Sequence, residues 1–107
     1  MTWSDELHKI SYDWSVEQAA EQRISHDKFD DRYRLARNAG VAPGYFAENV
    51  AYNYATSWSG AMDRVVEQWM NSDGHRSNIM NSTFTRMAVG TAFNEADGRY
   101  YFTQLFS

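Results

Sequence analysis

Apolar residues recur at helical spacing from Leu7 through Ile10 and Trp14, then at Val16, Ala19 and Ala20. Ser4 can cap this run, with Asp5 and Glu6 in the first turn where acids suit the helix dipole. The pattern predicts a helix from about Ser4 to Arg23. The polar stretch Ser25-His26-Asp27-Lys28 reads as a connection. A second helix is predicted from about Asp30 to Ala39, with Phe29, Tyr33 and Ala36 on one side, Gly40 as its stop and Pro43 just beyond. Between Phe46 and Tyr54 the signal is mixed. Val50, Tyr52 and Tyr54 alternate as in a strand, but Glu48 and Asn49 interrupt the front. Met62, Val65, Val66, Trp69 and Met70 then form one stripe of a helix from about Ser59 to Asn71, which Asp73-Gly74 is expected to end. A short helical turn is expected over His75 to Met80.

Near the end of the chain the period falls to two. Met87, Val89, Thr91 and Phe93 alternate, and so do Tyr100, Phe102, Gln104 and Phe106. The stretch Asn94-Glu95-Ala96-Asp97-Gly98 between them carries a turn-forming Asp-Gly pair, so the two runs read as a β-hairpin. Helices followed by strands predict one α+β domain over residues 1–107, with helices packed on an antiparallel sheet.

Composition narrows the function classes. The chain has 107 residues and 16% aromatics, which give a small domain more apolar area to bury. Its formal charge of −4 argues against a nucleic-acid binder, which needs a net basic face. No apolar run approaches the ~20 residues of a membrane span. Cysteine is absent, which excludes disulfide scaffolds, thiolate zinc sites and cysteine nucleophiles.

Three side chains could carry chemistry. His26 lies in a connection and His75 follows Gly74 at a helix break, both places from which an imidazole can point into a cleft or simply into solvent. Glu48 sits among small and apolar residues, either half-buried with a partner or at a strand edge. His8 lies off the Leu7/Ile10/Trp14 stripe and reads as a surface side chain. On a helical wheel Glu67 falls about 140° from the apolar centre and should face solvent, whereas Ser72 falls about 80° away, at the margin of the buried face. Ser72 therefore either lines a cleft or caps the next helical turn. No nucleophile elbow, phosphate loop or Ca²⁺ loop is present.

The run Trp69-Met70-Asn71-Ser72-Asp73-Gly74-His75-Arg76-Ser77-Asn78-Ile79-Met80 resembles the signature of the CAP (SCP-like) superfamily. That superfamily holds cysteine-rich secretory proteins, venom antigen-5 proteins and plant pathogenesis-related proteins. Trp3–Leu7, Ser25–Phe29, Glu48–Tyr52, the strand Val89-Gly90-Thr91-Ala92, and Tyr101–Phe106 agree with it in order. The resemblance is to the small bacterial-type branch, and it implies an α-β-α sandwich and a secreted, extracellular domain. It also implies a cleft in which His26, Glu48 and His75 hold a divalent metal, with Ser72 and Asn49 lining it. Ser72 stands where eukaryotic members carry a second acid. Family members usually begin with a helix ahead of the segment matching Trp3–Leu7, where this chain starts. One helix of the sandwich is thus expected to be missing, uncovering apolar area that a second chain could cover.

The function expected from these readings is non-enzymatic binding of a metal, and of a small-molecule or lipid ligand or a partner protein. Two neutral imidazoles and a carboxylate suit Zn²⁺, held weakly. The alternatives are a protein- or carbohydrate-interaction module built on the many aromatics, and a metal-dependent hydrolase.

Overall fold

A computed structural model describes all residues, 1–107. The elements run β1 (Thr2–Trp3), α1 (Asp5–Glu21), α2 (Phe29–Asn38), β2 (Ala47–Asn53), α3 (Trp58–Met70), α4 (Asp73–Met80), β3 (Arg86–Asn94) and β4 (Arg99–Phe106). The strands form one sheet in the order β1-β3-β4-β2, with β1 parallel to β3 and the other pairs antiparallel. Helices cover both faces, as the α-β-α expectation requires. Leu7 and Ile10 of α1 and Ala36 of α2 pack on Ala88 and Leu105 from one side. Ala61, Val65 and Trp69 of α3 pack on Ala51, Tyr100 and Phe102 from the other.

The starts of α1 and α3 are capped by serine side chains. Ser4 Oγ accepts from Leu7 N–H at 3.2 Å, and Ser57 Oγ accepts from Gly60 N–H at 3.1 Å. The hairpin turns over Glu95–Gly98, where Gly98 takes φ 71°, a left-handed conformation that suits glycine. Strand β4 is central and buried along both faces, so its alternation marks which helix layer each residue meets rather than inside against outside.

Three readings need correction, and one strand comes in addition to those expected. Val16 and Val66 are 42% and 48% exposed rather than core, and Ser11, Ser15 and Gln18 are buried on α1 instead. Asp73 and Gly74 do not end a helix: they form the first turn of α4, a full helix rather than a short turn. His8 is half-buried, its ring 5.3 Å from that of Trp3. The strand Thr2–Trp3 has no signal in the sequence, since two residues show no period. Glu67 is exposed and Trp69 is buried, as the wheel requires.

The polar face of α1 explains how it approaches the sheet. Ser15 Oγ donates to the Gly90 carbonyl or to Thr103 Oγ1, both at 2.8 Å, and Gln18 Nε2 donates to Thr103 Oγ1 at 3.1 Å. Gly90 lies directly beneath. A Cβ at that position would fall 2.2 Å from the Tyr12 nitrogen, so the helix sits flush on the strand only because the residue is glycine.

Candidate functional site

Glu48 and Asn49 lie side by side on β2 and point to opposite faces of the sheet, as adjacent strand residues must. Glu48 turns toward α2. Its side chain is 1% exposed, and Arg32 grips it with two bonds, Nε to Oε2 at 2.5 Å and Nη2 to Oε1 at 2.7 Å. His26 Nδ1 bonds the same Oε1 at 2.9 Å. A buried carboxylate needs a cation and hydrogen bonds, and both are present.

The connection that carries His26 is tied at each end. Trp14 Nε1 donates to the Ser25 carbonyl at 2.9 Å, Ser25 N–H donates to Gln18 Oε1 at 3.1 Å, and Arg32 Nη1 donates to the Asp27 carbonyl at 2.6 Å. The Arg32 guanidinium also lies over the Trp14 ring at 4.1 Å, a cation–π contact in the interior. Arg32 is thus the hub of this half of the site, and the sequence reading missed it. The signal was available: on a wheel Arg32 falls within about 60° of the Phe29/Tyr33/Ala36 side, and a charge on an apolar stripe calls for a buried partner.

Asn49 turns toward α4. It is fully buried, so it braces the cleft instead of lining its surface. Its Nδ2 donates to the His75 carbonyl at 3.2 Å and to Gln104 Oε1 at 3.1 Å, and its Oδ1 accepts from Asn78 at 2.9 Å. These bonds seat α4 on the sheet and place His75. Ser72 occupies the N-cap position of α4 but makes no capping bond there; its Oγ meets His75 Nδ1 at 3.0 Å. Ser72 and His75 line a cavity of ≈ 420 Å³ over the β2 edge, with Ile24, Val50, Ala51, Tyr52, Gln68 and Trp69. Such a volume falls in the range of small-ligand pockets.

The fold therefore joins His26 directly to Glu48 and His75 directly to Ser72. The three-ligand metal site implied by the resemblance is not formed as expected. No group of three or more His, Asp or Glu side chains is arranged to hold a metal. Arg32 instead holds both oxygens of Glu48, one bond to each. Each imidazole has Nδ1 engaged, which leaves Nε2 as the free nitrogen.

Burial holds the His75 imidazole below its ordinary pKa, and the nearby charge of His26 pushes in the same direction. In an NMR titration His75 should pass its midpoint below about 6.5, the ordinary imidazole value. His26→Ala removes a positive neighbour and should raise that midpoint, though burial keeps it from recovering fully. A midpoint unmoved by His26→Ala would show that the two rings do not sense each other.

The family model for the cysteine-rich secretory protein (CAP) family matches residues 1–106. Among curated proteins, the Bacillus subtilis membrane protein YlbC is 27% identical over 115 residues, covering 99% of this chain and 28% of YlbC. YkwD of the same organism is 36% identical over 58 residues, covering 54% of this chain and 21% of YkwD. The chain thus spans less than a third of these relatives' length. Among solved structures, an outer surface protein from Borrelia burgdorferi superposes with a TM-score of 0.79 at 19% identity, covering 99% of this chain and 75% of that one. An extracellular SCP-domain protein from Bacillus anthracis gives 0.77 at 23% identity, covering 99% of this chain and 33% of that one. At those identities the structures speak for the fold, and no helix here is long and apolar enough to cross a membrane. With the α-β-α layers and the ordered motifs, the match over residues 1–106 places this chain in the cysteine-rich secretory protein (CAP) family, although it has no cysteine itself.

Proposed function

We propose that this chain is a non-enzymatic, extracellular binding domain whose cleft over the β2 edge takes a small amphiphilic ligand. The observation that carries the reading is the cavity itself: Ile24, Val50 and Trp69 give it an apolar lining, while Ser72 and His75 put a polar pair at one side. His75, held neutral by its burial, offers a hydrogen bond to a carboxylate or hydroxyl head group at pH 7. A hydrolase would need a free base beside the imidazoles, and Glu48 is engaged by Arg32 and His26. The solved relatives described as outer-surface and extracellular proteins support the extracellular placement.

Divalent-ion affinity in this reading rests on His26 and His75 alone, so Zn²⁺ binding is expected to be weak and to be lost in acid, because a protonated imidazole cannot ligate. Two titrations of the folded chain test the proposal, one with Zn²⁺ and one with decanoate, each followed by NMR. Decanoate should shift the resonances of Ile24, Trp69 and His75 together, and Zn²⁺ should shift those of His26 and His75. The double variant His26→Ala, His75→Ala should abolish the Zn²⁺ response. No response of Ile24, Trp69 and His75 to decanoate would sink the amphiphile reading; Zn²⁺ shifts that survive the double variant would place the ion elsewhere.

A further inference from the structure

The two edges of the sheet are treated differently. On β2 the backbone groups of Glu48, Val50 and Tyr52 point outward, and side chains of α3 reach two of the carbonyls: Trp69 Nε1 donates to Val50 O at 3.4 Å and Gln68 Nε2 to Tyr52 O at 3.2 Å. On β3 the odd-numbered residues point outward. This follows from β1, where Thr2 N–H donates to Thr85 O at 2.8 Å and Ser4 N–H to Met87 O at 3.0 Å. The chain then leaves the edge to begin α1, and β1 pairs only with Arg86 and Met87. The outward N–H and C=O groups of Val89, Thr91 and Phe93 have no partner from strand, loop or side chain. Natural edges of this kind are usually guarded by lysine, proline or a bulge, and Val89-Gly90-Thr91-Ala92-Phe93 has no charge and no proline.

Uncovered apolar side chains flank this open edge on both faces. Tyr12 and Val16 of α1 are 46% and 42% exposed, and Trp58 and Phe93 on the α3 side are 56% and 41% exposed. Together they border a groove of ≈ 1010 Å³ that follows the strand. We propose that the Val89–Phe93 edge is an interface that takes a second copy of this chain, the two β3 strands pairing antiparallel about a two-fold axis near Thr91.

Three features favour a second copy. Antiparallel pairing about Thr91 sets Val89 of one copy opposite Phe93 of the other, so one symmetric contact can satisfy the exposed ladder on both chains. The window carries no charge to repel itself, and the pairing directs the Glu95 end of each strand toward the Arg86 end of its partner. The four flanking side chains offer roughly 400 Å² per chain, about half of the roughly 800 Å² that a standard interface buries on each partner, with strand backbone and rim to add to it. The ligand cleft lies over the opposite edge, so pairing would leave both copies of it open.

The test uses the 107-residue chain. Sedimentation at about 0.1 mM should report a dimer, since a standard-sized interface of modest affinity is populated there. Hydrogen exchange should show the Val89, Thr91 and Phe93 amides protected at high concentration and released on dilution, while the amides that face β4 stay protected throughout. Thr91→Lys should give a folded monomer, and Tyr45→Lys, a substitution at an exposed site away from the edge, should remain dimeric. If Thr91→Lys fails to fold, exchange in the unsubstituted chain decides alone. A monomer at about 0.1 mM, or a dimer in which the three amides exchange freely, overturns the proposal. So does protection that appears only when the chain is extended at an end, which would give the edge to a segment of the same molecule.

Discussion

Arg32→Met should cost about 3–5 kcal/mol of stability in urea denaturation, the range for stranding one member of a buried ion pair. Arg32 and Glu48 side chains are 4% and 1% exposed, so water cannot replace the lost bonds. Methionine keeps much of the stem's volume but leaves Glu48 with His26 as its remaining side-chain partner. It also removes the bond to the Asp27 carbonyl and the contact over Trp14, so the connection carrying His26 loses a tie as well. The decisive control is the double variant Arg32→Met, Glu48→Leu. If the cost arises from an unpaired buried charge, removing both partners should recover most of it. A single variant that loses less than about 1 kcal/mol would show the pair to be no more than a surface-like bridge.

Gly90→Ala should be as damaging, for a steric reason. Its Cβ would meet the Tyr12 nitrogen at 2.2 Å, the Ser11 carbonyl carbon at 2.4 Å and the Tyr12 Cα at 2.5 Å. Each of these is backbone, so no rotamer change can relieve the overlap. The helix must lift from β3, breaking the bond from Ser15 to the Gly90 carbonyl and disturbing those that Ser15 and Gln18 make to Thr103. Overpacking usually costs about 1–3 kcal/mol, and a clash against a helix backbone should exceed that. A domain whose whole stability is of the order of 5–15 kcal/mol would be left marginal. A thermal midpoint within a few degrees of the parent would show that α1 can shift cheaply.

The elements legible in the sequence are those whose period survives without knowledge of their partners. Leu7, Ile10 and Trp14 mark α1, and the alternating runs on either side of Gly98 mark the hairpin, because each pattern is complete in itself. β2 is ambiguous because Glu48 and Asn49 are buried polar residues whose partners, Arg32 and His75, come from elsewhere in the chain. The start of α4 is misread because Asp73-Gly74 is equally good chemistry for ending one helix and for opening the next. Val16 sits at the open β3 edge, where an apolar residue does not become core. At the site, the ordered motifs point to His26, Glu48 and His75. They do not reveal that Glu48 belongs to Arg32, since a resemblance names residues and is silent on which neighbours engage them.

The ties on the Ser25–Asp27 connection bear on how tightly anything can bind beside His26. Fixing one backbone residue costs about 1–2 kcal/mol in conformational entropy, and an unrestrained connection would impose that cost on its ligand. Here Trp14, Gln18, Arg32 and Glu48 fix the connection when the chain folds, before any ligand arrives. The site is preorganised, so weak affinity there would reflect the small number of donor groups it offers, and adding one donor should strengthen binding without any need to stiffen the loop.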